Sequence, residues 1–171
     1  MKKFTLLLAL LINTSNAHAL TELGVIGGVT TNYNASSTMF FTYGLTAAID
    51  LGIYSIGVKA TNMSGPLSSV TVSNVTTNTN TGQVNVLGQF KFKFSGAFVG
   101  ANIGMGIQNA YITVAGLSTG GSTATSLVYG LTAGYYMGSH IQYGVELDYN
   151  LSTLAGWTNN LVPMAGIKLS I

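Results

Sequence analysis

Cysteine is absent from the 171 residues, so neither a disulfide framework nor thiol chemistry is available to this chain. Arginine is absent too, and the scattered lysines form no basic patch on which nucleic-acid binding could rest. Charge is scarce altogether: Asp, Glu, Lys and Arg make up 6 % of the sequence. A soluble domain carries about a quarter, because a water-facing surface needs them. Hydrophobic residues nevertheless reach 47 %. No run approaches the roughly 18 apolar residues of a spanning helix, so the apolar content is spread through the chain and a helical membrane protein is excluded.

The N-terminus has its own logic. Met1-Lys2-Lys3 is a basic start, Phe4 to Ile12 an apolar core, and Ala17-His18-Ala19 a small-residue cleavage site. Residues 1–19 are therefore expected to be a cleaved secretory signal peptide, leaving residues 20–171 as one exported domain. Without Lys2 and Lys3, four lysines (59, 91, 93 and 168) face Glu22, Asp50, Glu146 and Asp148, a net charge of zero.

The stretch HIQYGVELDYNL, His140 to Leu151, alternates Ile141, Tyr143, Val145, Leu147 and Tyr149 with Gln142, Gly144, Glu146, Asp148 and Asn150. Side chains of a strand point to opposite faces with period 2, so this strand lies between two unlike media. The same period recurs over about 21–33, 38–49, 53–62, 83–94, 97–109, 126–137 and 161–171, which predicts eight strands. Tight turns at Asp50-Leu51-Gly52, Ser95-Gly96 and Gly138-Ser139-His140 alternate with longer polar connections at 34–37, 63–82, 110–125 and 152–160. Short turns at one end and long loops at the other are the mark of an up-and-down meander. About ten residues per strand matches the roughly 9–11 tilted residues that cross a bilayer, and closure removes sheet edges that lipid would penalise. The predicted fold is all-β, a closed eight-stranded antiparallel up-and-down transmembrane β-barrel.

Parity then sorts the faces. One face collects the large apolar side chains, among them Phe41, Leu45, Ile56, Phe90, Ile103, Leu131 and Ile167, and no charge. The other collects Glu22, Lys59, Lys91, Lys93, Glu146, Asp148 and Lys168, every charge of residues 20–171 except Asp50 in a turn. A soluble lipocalin-like barrel would invert this, burying more large side chains than eight strands can enclose and leaving a surface nearly bare of charge. Glycine falls on the polar parity in seven of the eight segments, at Gly24, Gly28, Gly44, Gly57, Gly100, Gly130, Gly134, Gly144 and Gly166, where a narrow lumen needs room. Inward carboxylates need partners, so the seven charged residues on this face are expected to form lumenal ion pairs. Tyr33, Tyr54, Phe94, Tyr111 and Tyr149 suit interfacial girdles.

On the leader, the eight alternating segments, the VELDY strand and the apolar alternation Ile167, Leu169, Ile171, the chain resembles the small outer-membrane β-barrels of Gram-negative bacteria: the OmpA transmembrane domain, OmpX and opacity-type surface proteins. The resemblance covers residues 20–171. It implies an outer-membrane location, lipid and lipopolysaccharide as surroundings, and insertion by the outer-membrane assembly machinery. Members often end in an aromatic residue, whereas this chain ends in KLSI, and Ile171 keeps the parity without the ring.

Catalysis finds little to work with. The sole histidine of 20–171 is His140, in a predicted turn, and no nucleophile, base and orienting group share a neighbourhood. The scattered carboxylates lack metal-ligand spacing, and neither GVIGGV nor GANIGMG fits a phosphate-cradling loop, so no cofactor and no enzymatic activity are expected. A diffusion porin normally needs 16 or more strands, which leaves a narrow pore as the channel alternative. A structural or surface-interaction role remains, with any specificity in the loops 63–82 and 110–125. Val70, Val72 and Val75 in the first of these allow either a polar loop or strands prolonged into a protruding sheet that adds a partner strand.

Overall fold

The protein is described by a computed structural model that covers residues 20–32, 39–72, 75–114, 117–153 and 159–171. The leader, the connection 34–37, the residue Tyr33 and most of the connection 152–160 lie outside the described residues. Eight strands follow one another: β1 Leu20–Asn32, β2 Met39–Asp50, β3 Tyr54–Val72, β4 Val75–Phe94, β5 Ala97–Val114, β6 Leu117–Met137, β7 Ile141–Ser152 and β8 Asn159–Ser170. Each pairs with its sequence neighbour, and β1 closes on β8 to give a closed antiparallel barrel.

Closure runs from Glu22↔Ser170 to Asn32↔Asn160 and is interrupted between Gly28 and Thr31, opposite Pro163. Proline has no N–H to give to a ladder, which accounts for the gap. The short turns follow local chemistry. Ser95 and Gly96 both have positive φ (49° and 93°), the geometry of a two-residue turn that matches the strand twist. Gly52 (φ 90°) donates its N–H to the Asp50 carboxylate at 3.0 Å.

Two connections bear on the sequence expectation. Most of 110–125, expected as a polar connection, is strand, and in 63–82, where a polar loop and prolonged strands are both open to the sequence, the strands are prolonged. β3 and β4 pair from Tyr54↔Phe92 to Val72↔Val75, and β5 and β6 from Ala97↔Tyr135 to Val114↔Leu117, with register shifts at Pro66/Ser68 and Tyr111/Thr113. β4 pairs with β5 as far as Thr77↔Val114, so the two hairpins join in one four-stranded sheet. Its flanks end lower, since β2 leaves β3 at Ser64 and β7 leaves β6 at Val128. The Thr and Val residues of these segments favour a pleated backbone, and hairpin arms already in register lengthen at little entropic cost. Alternation there is polar against polar, which period-2 hydrophobicity does not detect.

In the barrel wall the alternation is complete. Phe41 is 74 % exposed and its neighbour Phe40 fully buried. Leu45, Ile56, Phe90, Ile103, Leu131, Val145 and Ile167 all point outward. Left in water, each such side chain would forgo roughly 1.5–3 kcal/mol of burial. The lumen is filled. Ile26, Met63, Val162 and Met164 form an apolar cluster inside, and Leu87 and Val128 are buried as well. The inward glycines are where neighbouring strands come closest: a Cβ on Gly100 or Gly144 would collide with the backbone across the ladder. Of the aromatics suited to girdles, Phe94 and Tyr149 face outward in the wall, whereas Tyr111 sits in the protruding sheet.

Candidate functional site: the lumenal charge network

Strand parity delivers each charged side chain to the interior. On β3, Val58 and Ala60 face out, so Lys59 faces in and is fully buried. On β7, Val145, Leu147 and Tyr149 face out and Glu146 and Asp148 face in. The Lys59 ammonium donates to Glu146 and to both oxygens of Asp148, at 2.8 and 3.1 Å. Lys91, on the inward parity of β4, reaches the other oxygen of Glu146 at 3.2 Å. Two ammoniums thus meet two carboxylates, and each buried charge has an opposite partner within hydrogen-bond distance.

A second cluster lies toward the short turns and the chain end. Lys93 donates to Glu22 at 2.7 Å and to Asp50 at 2.5 Å. Lys168 approaches Glu22 at 4.0 Å, and its ammonium stands 3.7 Å from the centroid of the Tyr136 ring. Lys91 and Lys168 also lie over Phe98, 4.6 and 5.3 Å from its centroid, and Phe98 stacks on Tyr136 at 6.0 Å.

The structure thus brings together all seven residues selected by parity, in two linked groups. It adds an eighth. Asp50, read from the sequence as a turn residue outside the pattern, ends β2 on the inward parity and ties Lys93. Continuing the alternation of β2 by one residue would have found it. Phe98 and Tyr136 were missed because aromatic residues on a mostly polar face read as noise in a single strand. Their purpose is visible only once β4, β5, β6 and β8 meet.

Above the charges the lumen is neutral, with polar side chains beside the buried Met63, Leu87 and Val128. Gln89 donates to Asn102 at 2.9 Å, Gln83 to Asn85 at 2.6 Å and Ser152 to Ser126 at 3.0 Å. Asn102 Nδ2, Thr132 Oγ1 and Asn150 Oδ1 are buried without a protein partner, flanking Gly130, positions that suit ordered water. His140 sits exposed in the β6–β7 turn, its carbonyl accepting the Ser170 N–H at 2.7 Å. No three His, Cys, Asp or Glu side chains converge among the described residues.

No family model matches the chain, and no curated protein matches it by sequence. Solved structures do match in fold. The attachment invasion locus protein Ail of Yersinia pestis superposes with a TM-score of 0.58 at 14 % identity, covering 90 % of this chain and 97 % of that one. Neisserial surface protein A gives 0.58 at 11 % identity, covering 89 % and 96 %. A major outer membrane protein from Thermus thermophilus gives 0.57 at 7 % identity, covering 90 % and 99 %. The chain has the fold of the small eight-stranded outer-membrane barrels.

Proposed function

We propose that this is an integral outer-membrane barrel, exported by residues 1–19 and mature from Leu20, with a lumen closed to bulk flow and a working part that projects beyond the apolar band. The observation that carries the reading is the sorting of side chains: all eight charges of residues 20–171 lie inside or at the mouth, and the outward face of the wall is apolar. Lipid is the medium in which that face is stable, and the lipids of the outer membrane, lipopolysaccharide included, are its surroundings. Insertion is by the outer-membrane assembly machinery. Fully buried Lys59, Met63, Leu87, Glu146 and Val128 across the lumen support a structural rather than a conducting interior.

Surface interaction is assigned to the β3–β6 sheet. Its β6 edge, Leu117 to Ser126, carries no charge and no proline, the devices by which sheets normally block pairing. Leu127 directs both its N–H and its carbonyl toward Thr153, at 3.1 Å each for Leu127 N–H to Thr153 Oγ1 and Thr153 N–H to Leu127 O. By the same parity Thr125 and Thr123 present their backbone groups to the open side, where a partner strand can add.

The test begins with the protein expressed from its full sequence. Cleavage before Leu20 by mass spectrometry, recovery in outer membranes, and a gel mobility that shifts on boiling in parallel with a β spectrum by circular dichroism are expected. A soluble β protein needing no detergent, or large steady conductance in planar bilayers, would refute the reading. For the sheet, deletion of Ser68 to Thr81, or Thr125→Pro to remove an outward N–H without touching the β5 ladder, is expected to abolish surface binding with the barrel intact.

A further inference from the structure

The lumenal charges balance in number, but their hydrogen bonds are not shared evenly. In the centre, one ammonium, Lys59, stands between two carboxylates, Glu146 and Asp148. At the mouth beside the short turns, two ammoniums, Lys93 and Lys168, face two carboxylates, Glu22 and Asp50, and Lys91, tied to Glu146, stands between the two groups. The hydrogen bonds at the mouth are unevenly shared, since both of its carboxylates are committed to Lys93.

The shortfall falls on Lys168. Its side chain is 6 % exposed, and its nearest anion among the described residues is Glu22 at 4.0 Å, beyond hydrogen-bond range. A ring face, that of Tyr136, accepts the ammonium on one side. An ammonium has three N–H donors, and a buried one without acceptors is costly. Lys91 adds to the field, since its one carboxylate contact, Glu146, is shared with Lys59. Both ammoniums border a cavity of 170 Å³ at this mouth, lined toward the turns by Gly96, Gly138 and Gln142. The cavity is large enough for a small anion with a water or two. Gly96 and Gly138, one from each of two short turns, belong to its lining, which places the cavity at the short-turn end of the barrel.

We propose that the short-turn mouth of the barrel binds a small oxyanion, held by the Lys168 and Lys91 ammoniums over the Phe98 and Tyr136 rings. The chemistry selects a compact group bearing two or more oxygens on one charge centre, which a phosphate and a carboxylate share. Glu22 limits the site to small anions, because its carboxylate borders the same cavity and repels a larger charge. This inference does not depend on any role for the projecting sheet.

The experiment uses the folded protein in zwitterionic micelles, with amide spectra recorded as sodium phosphate or sodium acetate replaces sodium chloride at constant ionic strength. Saturable shifts centred on Gly96, Gly138 and Gln142 are expected, with affinity falling roughly tenfold in Lys168→Met as one charge-assisted contact is lost. Saturation by phosphate alone assigns the site to phosphate-type groups, by acetate alone to carboxylates, and by both to their shared chemistry. Shifts that stay linear, or that spread over the whole barrel, in the wild-type protein overturn the proposal whether or not the variant folds. So does a Lys168→Met protein with an unchanged boiling-dependent mobility and unchanged affinity.

Discussion

The barrel wall and the projecting sheet are continuous strands of the same four-stranded stretch of backbone, yet their side chains obey different rules. In the wall, β4 alternates outward Val86, Phe90 and Phe92 with inward Leu87, Gln89 and Lys91. Farther along the same strand, Thr76, Thr77, Asn80 and Thr81 replace that contrast with polar residues on both sides. The ladder does not change at the boundary, and Gly82↔Asn109 joins the two parts in unbroken register. What changes is the medium. Backbone pairing makes the sheet, and the solvent on each side decides which side chains it tolerates.

Charge shows the same contrast. The wall encloses every charge of residues 20–171, and the projecting sheet has none. Ion pairs therefore belong to the interior, and the sheet presents hydroxyls, amides, Tyr111 and Ile112. Cross-strand pairs there, such as Thr71 with Thr76 at 3.1 Å and Thr123 with Asn109 at 2.9 Å, are exposed and individually weak.

The comparison breaks first at Lys59. Lys59→Met leaves buried Asp148 without its cation and Glu146 with Lys91 alone, and is expected to destabilise the barrel by about 3–5 kcal/mol. Denaturant titration followed by gel mobility measures this, and adding Asp148→Asn, which keeps Glu146 for Lys91, should restore much of the loss. Next comes the outer face: Leu131→Lys, 64 % exposed in the wild type, is expected to cost about 2–4 kcal/mol in a bilayer if that face meets hydrocarbon. An unchanged stability in vesicles would mean that water reaches it. Smaller still, Lys93→Met removes the partly exposed ties to Glu22 and Asp50 and should cost roughly 1–2 kcal/mol. The smallest effect belongs to the projecting sheet. Replacing residues 67–79 by an Asn-Gly turn across Pro66↔Asn80 should move barrel stability by less than about 0.5 kcal/mol. A larger loss would show that sheet and wall fold as one unit.

How far the sequence can be read follows from this contrast. Wherever the two faces of a strand meet unlike media, period-2 alternation is present in the residues themselves. HIQYGVELDYNL carries it without interruption, and β7 runs from Ile141 to Ser152. The tops of β3 to β6 carry polar residues on both faces, so no alternation marks them, and TVSNVTTNTNT reads equally as a loop or as prolonged strands, although most of it is paired. Asp50 falls between these cases, hidden by the turn it adjoins.

By itself the sequence determined the eight-strand meander, the outward and inward faces of each strand and the set of side chains that enter the lumen, because parity is a local property fixed by the backbone. Only the tertiary structure decided who meets whom. Lys59 reaches Glu146 and Asp148, more than eighty positions away in the chain, while Lys168 is left with a shared carboxylate and a tyrosine ring. Those pairings depend on how closure staggers the strands and sets inward positions at common heights along the barrel axis, a relation among all eight strands that no single segment contains.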